Sequence, residues 1–162
     1  MKINLDIHNT KISEYNNFCL AAVNAESIFS NFKRSPIYNN ILEKIGEPIG
    51  KKYYDIIKQD HNILKCLDKI KINDSLGNPR KFLYGTHFIS PTTLRYTKVY
   101  MDLSRNHDLN GMSIFEVGGG YGGQSFIFNK LGNIKDYTIT DLPNVNLLIC
   151  KYLKLLGCDS NV

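Results

Sequence analysis

Five glycines occupy six consecutive positions, Gly118, Gly119, Gly120, Gly122 and Gly123, with Tyr121 the lone interruption. Backbone without side chains lets a ligand approach main-chain N–H groups closely. A tight turn that needs only positive φ would ask for one or two glycines, so the run reads as a binding surface for a nucleotide-like molecule. Glu116 sits just before it, at the end of the apolar segment "MSIFEV", and Asp141 lies about 20 residues further on, at the end of "KDYTITDL".

Two patterns overlap on these residues. Gly118-x-Gly120-x-x-Gly123 fits the dinucleotide pattern, in which a pyrophosphate rests on a helix N-terminus. Glu116-x-Gly118-x-Gly120-x-Gly122 fits the acidic-x-G-x-G-x-G pattern of S-adenosylmethionine sites. Their physical demands differ. A carboxylate is unhelpful beside an anionic pyrophosphate, whereas the ammonium and sulfonium of S-adenosyl-L-methionine are cations that Glu116 would favour. A carboxylate near a helix start also needs a partner if buried. Asp141 can accept hydrogen bonds from two ribose hydroxyls, which fits both cofactor classes; a cap on the helix that begins at Pro143 is its other role, and the two can coexist. Leu142 would then lie near the adenine.

Other chemistries find little support. The four histidines (His8, His61, His87, His107) are isolated and the four cysteines (Cys19, Cys66, Cys150, Cys158) show no C-x-x-C spacing, so no metal site is expected and reduced thiols in a cytoplasmic protein are the simplest reading. The net charge of +5 comes from scattered residues rather than a block, which argues against a nucleic-acid partner. No apolar run approaches the roughly 18–20 residues that cross a bilayer, and "MKINLDIHNT" lacks the apolar core of a signal peptide. No membrane partner is expected.

The elements that must position the glycines follow from periodicity. Ile12, Tyr15, Cys19, Ala22, Val23, Phe29 and Phe32 recur at helical spacing. Ser35 and Pro36 suggest a fresh helix start, with Gly46 after its last turn. One or two helices follow to Ile70, with Asp60 as a cap. Residues 74–91 read as a loop with short extended pieces. Ser90 and Pro91 open a helix whose buried stripe is Leu94, Tyr96 or Thr97, Tyr100, Met101 and Ser104. Then come a strand, the glycine turn, a helix closed by Gly132, a second strand, and a helix from Pro143 to Gly157. The fold class is thus α/β: a mainly helical region over 1–90, and over 91–162 the start of a Rossmann-like doubly wound sheet.

"FEVGGGYGG" followed by "YTITDLPNV" resembles the signature of class I S-adenosylmethionine-dependent methyltransferases, and "YGTHFISPTTLRY" upstream is similar to the bacterial sugar O-methyltransferase family. The resemblance covers roughly Ser35 to Gly157. It implies methyl transfer to a hydroxyl of a small-molecule acceptor such as a sugar or glycan precursor. Glu116, Gly118, Gly120 and Gly122 would line the methionine part of the cofactor, Gly119 is counted with the cofactor-binding residues, and Asp141 would hold the ribose. The segment with Tyr84, His87, Thr92 and Arg95 would close over it, with Arg95 either pairing the cofactor carboxylate or lying on a helix surface. Tyr121 either packs on the cofactor or faces solvent. His87 reads as a loop or packing residue, and no catalytic residue is assigned. The family's later strands, which carry the acceptor pocket and usually the general base, are missing, so the chain resembles an N-terminal portion of such an enzyme. Two parallel strands alone would leave an apolar face and edge uncovered, so marginal stability alone, or stabilisation by a homo-oligomer or by the missing half, is expected. The rival readings are an NAD(P)- or flavin-dependent oxidoreductase and a non-catalytic remnant.

Overall fold

In the computed structural model, which describes residues 5–42, 45–158 and 162, the first apolar stripe forms α1 (Leu5–Asn24). Tyr15, Cys19 and Ala22 are buried as the periodicity predicts, while Ile12 lies exposed. The helix ends where Ala25 turns extended, and the stripe continues through the short α2 (Glu26–Phe29) and a 3₁₀ turn over Phe32–Arg34. Pro36 opens α3 (Pro36–Asn39) at its first position, but Ser35 makes no side-chain cap and the helix is a single turn. Part of the helix expected to run on toward Gly46, residues 43–44, lies outside the described residues. Gly46 does not close that helix; it is the extended N-cap residue of α4 (Glu47–Ile57), whose early Pro48 supplies a ready-made helical φ. Asp60 caps α5 (His61–Ile70) as read, its Oδ1 accepting the N–H groups of Asn62 and Ile63.

The extended pieces expected before Pro91 form a small antiparallel hairpin of β1 (Phe82–Tyr84) and β2 (His87–Ile89). Ser90 then caps α6 (Pro91–Asn106) by accepting from the Thr93 N–H at 3.1 Å. Leu94, Tyr96, Thr97, Tyr100 and Met101 are buried, and the stripe ends there because Ser104 is exposed. β3 (Ser113–Val117) and β4 (Asp136–Thr140) pair in parallel, with Glu116 opposite Ile139. They are joined by α7 (Gly123–Leu131) and followed by α8 (Pro143–Leu155). The architecture is mixed α/β, with two small sheets among many helices.

The core runs across residue 90 without interruption. α4 and α7 pack on α6, and α1 packs on α8. Phe32 and Tyr38, from the first forty residues, meet the Tyr121 ring at centroid distances of 6.1 and 6.4 Å, and Phe32 meets the Tyr152 ring at 6.2 Å. A buried polar network crosses the same seam. Lys33, 1% exposed, donates from Nζ to the Asn73 carbonyl (3.1 Å) and the Tyr152 hydroxyl (2.9 Å). Asp74 accepts from Ser90 and Thr93, so the α6 cap is itself braced.

One face of the parallel pair is open. Alternation turns Ile114, Glu116, Tyr137 and Ile139 inward, toward the helices. Phe115 and Val117, on the other face, are 66% and 76% exposed. Parallel sheets ordinarily bury both faces, and the open face matches the expectation from two strands alone. Among the described residues no helix is long and apolar enough to cross a membrane, and no cluster of three metal-ligating side chains occurs.

Candidate functional site

The glycine turn is built by necessity of its backbone. Gly118, Gly120 and Gly122 all adopt positive φ (80°, 63° and 83°), where an L side chain is strained. Gly119 and Gly123 serve packing instead: a Cβ on Gly119 would lie 2.2 Å from Ile139 Cγ2, and one on Gly123 would strike the Tyr121 ring at 2.4 Å. Only at Gly118 would a Cβ enter open space, the crevice above the turn. The strand ladder runs on into the turn, since the Gly118 N–H donates to the Thr140 carbonyl at 2.8 Å.

Asp141 is drawn to the turn. Its Oδ2 accepts the Gly120 N–H at 3.1 Å and its Oδ1 accepts the Leu142 N–H at 2.7 Å. The carboxylate thus clamps the end of β4 to the glycine run. It does not act as the N-cap of α8; Leu142 occupies that position, half-buried against the core. Each carboxylate oxygen keeps capacity for a further donor.

Glu116 faces the same turn from β3. Its Oε1 accepts from Gln124 Nε2 at 3.2 Å and its Oε2 from the Tyr137 hydroxyl at 3.0 Å. Burial raises the Glu116 carboxyl above its ordinary range; the Tyr137 hydrogen bond opposes this and the negative charge of Asp141 adds to it. The Tyr137 hydroxyl is pushed up as well, first by burial and then by Glu116. A partly desolvated carboxylate of this kind gains from any cation that enters the crevice.

That crevice, about 150 Å³, is lined by Glu116, Gln124, Gly118–Gly120, Arg95, Tyr96 and Leu42. Arg95 lies on the first turns of α6 with its guanidinium carbon 4.9 Å from the Tyr96 ring centre. A carboxylate and a guanidinium therefore share one small cavity over bare main chain. The volume is below the ~300–1,000 Å³ of a typical small-molecule site. Leu42 accounts for part of the shortfall, because its Cδ1 sits 3.0 Å from where a Cβ on Gly120 would be.

The structure brings together Glu116, Gly118, Gly119, Gly120 and Arg95 in one crevice, with Asp141 bonded to its rim and Gly122 in the turn behind. It does not bring Tyr84 there. That side chain is buried on β1, stacked on Tyr54 at 5.9 Å, with its hydroxyl donating to the Glu47 carbonyl. Leu142 does not line the crevice either. His87 packs beside Tyr54, and its buried Nδ1 has no hydrogen-bond partner among the described residues. Tyr121 follows neither role read for it: it is 1% exposed and points into the aromatic core, where Asn73 Nδ2 donates to its hydroxyl and the Lys33 ammonium lies 3.9 Å from its ring centre. Sequence reasoning missed Leu42, Tyr96, Gln124 and Tyr137 as parts of the site. For Tyr137 a signal existed, since strand alternation puts it on the inward face with Glu116.

Set beside known proteins, the chain matches no family model, no curated protein and no solved structure.

Proposed function

We propose that the chain carries the cofactor-binding region of an S-adenosylmethionine-dependent O-methyltransferase of Rossmann-like fold, acting in the cytoplasm on a hydroxyl of a small molecule such as a sugar. One observation carries the reading: Glu116 and Arg95 line the same crevice over side-chain-free backbone. An α-amino-acid head carries one ammonium and one carboxylate, and such a pair of side chains complements both. The volume of about 150 Å³ suits that end of the cofactor alone. Asp141, already tied to Gly120, retains acceptor capacity for the ribose hydroxyls at the neighbouring rim.

The cofactor supplies an electrophilic methyl group on sulfur. The residues of this chain bind and orient it: Glu116 and Arg95 fix the amino-acid end, the turn admits it closely, and Asp141 sets the ribose. Alignment of an acceptor hydroxyl with that methyl, and removal of its proton, fall to groups not assigned among the residues of this crevice. The oxidoreductase reading is supported by Gly123 opening α7 in G-x-G-x-x-G register. It is weakened by Glu116, which would stand beside a pyrophosphate.

Calorimetric titration with S-adenosylmethionine, S-adenosylhomocysteine and NADH tests the proposal. Saturable binding of the first two is expected; binding of NADH alone rejects it. A non-catalytic remnant would bind none of the three.

A further inference from the structure

A second cavity has a volume of about 410 Å³, and Lys33, Arg34 and Arg80 are among the residues that line it. Arg34 and Arg80 are both exposed and both line it, and neither forms an ion pair among the described residues. Arg34 is held in place: its Nε donates to the Asn78 carbonyl at 2.7 Å and its Nη2 to the Pro79 carbonyl at 3.4 Å. Those carbonyls precede Arg80 in the chain, so the segment that carries Arg80 is tied to Arg34, while the remaining N–H groups of Arg34 keep donor capacity. Lys33 lines the cavity too, with its ammonium turned inward to Asn73 and Tyr152, adding positive charge behind the wall.

No acidic side chain lines the cavity among the described residues, Glu47 of the adjacent α4 first turn included. Like charges that meet no carboxylate among the described lining residues gain when an anion joins them. One helix start reinforces the sign: Gly46, the N-cap residue of α4, lines the cavity, and helix N-termini carry partial positive charge, whereas the α6 start, whose Pro91 also lines it, is already met by the Asp74 carboxylate. Phe82 and the prolines offer an apolar wall of the kind that accepts the C–H face of a sugar ring. The position is telling as well. Pro91 lines this cavity and Arg95 lines the glycine crevice, four residues apart on α6, a rise of about 6 Å.

We infer that this cavity is an anion subsite, with Arg34 and Arg80 gripping the phosphate of a phosphorylated sugar whose ring lies against Phe82. Its assignment to the methyl acceptor rests on the methyl-transfer reading; the binding of the phosphate does not.

The test is calorimetric titration of the whole chain at fixed ionic strength with a hexose 1-phosphate, inorganic phosphate and the neutral hexose. Arg80→Gln is the main variant, because Arg80 is exposed and forms no ion pair among the described residues. Lys65→Gln, an exposed cation on α5, controls for net charge. The hexose phosphate should bind tightest, then phosphate, with no saturable binding of the neutral sugar. Arg80→Gln should weaken both phosphate ligands about tenfold or more, as for loss of a hydrogen bond to a charged group, and Lys65→Gln should leave them unchanged. Arg80→Lys should recover only part of the loss, since the fork geometry is gone. Absence of saturable binding at millimolar phosphate overturns the site, as does equal weakening by the two glutamine variants. Equal affinity for phosphate and hexose phosphate overturns the sugar assignment. Failure of S-adenosylmethionine to bind in a separate titration would strike the methyl-transfer reading and leave these results standing.

Discussion

Replacing Glu116 with glutamine separates the charge of the crevice from its shape. Glutamine keeps the volume and one acceptor for Gln124 or Tyr137, which now bond the two carboxylate oxygens. It removes the negative charge that a ligand ammonium would meet. A hydrogen bond to a charged partner contributes about 1.5–3 kcal/mol, so the Kd for S-adenosylmethionine should rise roughly 10- to 150-fold. The stability of the ligand-free protein should move the other way. The folded-state pKa of Glu116 is raised above its ordinary value of 4.5, chiefly by burial. Its contribution to stability is therefore fully present below that ordinary value and is lost as pH rises through the raised folded value. At neutral pH the glutamine variant escapes this loss and should be the more stable of the two in urea unfolding. The affinity gap should also shrink as pH falls through the same window, because the wild-type side chain becomes neutral there. Equal affinity for the cofactor at neutral pH, within a factor of about two, refutes the role given to the Glu116 charge.

Asp141→Ala leaves the Gly120 and Leu142 N–H groups without their acceptor, so both unfolding stability and S-adenosylmethionine affinity should fall by about 1–3 kcal/mol; unchanged affinity takes Asp141 out of the site. Gly119→Ala drives a Cβ into Ile139 and should destabilise by about 1–3 kcal/mol as an overpacking change. Gly118→Ala meets open space but sits at φ 80°, so it should cost about 1–2 kcal/mol in strain and in addition block the crevice; thermal melts with and without cofactor distinguish the two. Phe115→Ser with Val117→Thr should change stability by no more than about 0.5 kcal/mol per site while reducing apolar dye binding and self-association, because both side chains face outward.

Local signals proved legible in the sequence. Asp60 and Ser90 cap helices where their residue type and the following pattern said they would. The strand, glycine turn, helix and strand succession is present, and the wealth of glycines is explained by positive φ at alternate positions and tight contacts between them. What escaped depends on contacts distant in the chain. Leu42 reaches Gly120 from a segment that periodicity assigns only to a helix end. Tyr84 sits in a loop-like stretch, and its inward turn is decided by Gly50 and Tyr54 on α4, since a Cβ on Gly50 would fall 2.2 Å from its hydroxyl. Gly46 carried a helix-end signal equally suited to either side of a break, and Pro48 decided for the start.

The fate of Tyr121 shows why the helical region belongs to the site. A tyrosine inside a glycine run invites the view that its ring faces the ligand. Instead the backbone reversal that bares Gly118–Gly120 throws the ring to the opposite side, under the first turn of α7, where Gly123 must lack a Cβ to admit it. Phe32, Tyr38, Tyr96 and Tyr152 surround that ring, and Asn73 and Lys33 bond or face it. Three of these six come from before residue 70 and a fourth, Asn73, from the turn that follows α5. A turn rich in glycine loses much conformational entropy on ordering, so a large, well-seated side chain in its middle is an effective anchor. The crevice is thus shaped from two sides: Asp141 holds the turn from the sheet, and an aromatic socket, to which the N-terminal segments add Phe32 and Tyr38, holds it from beneath.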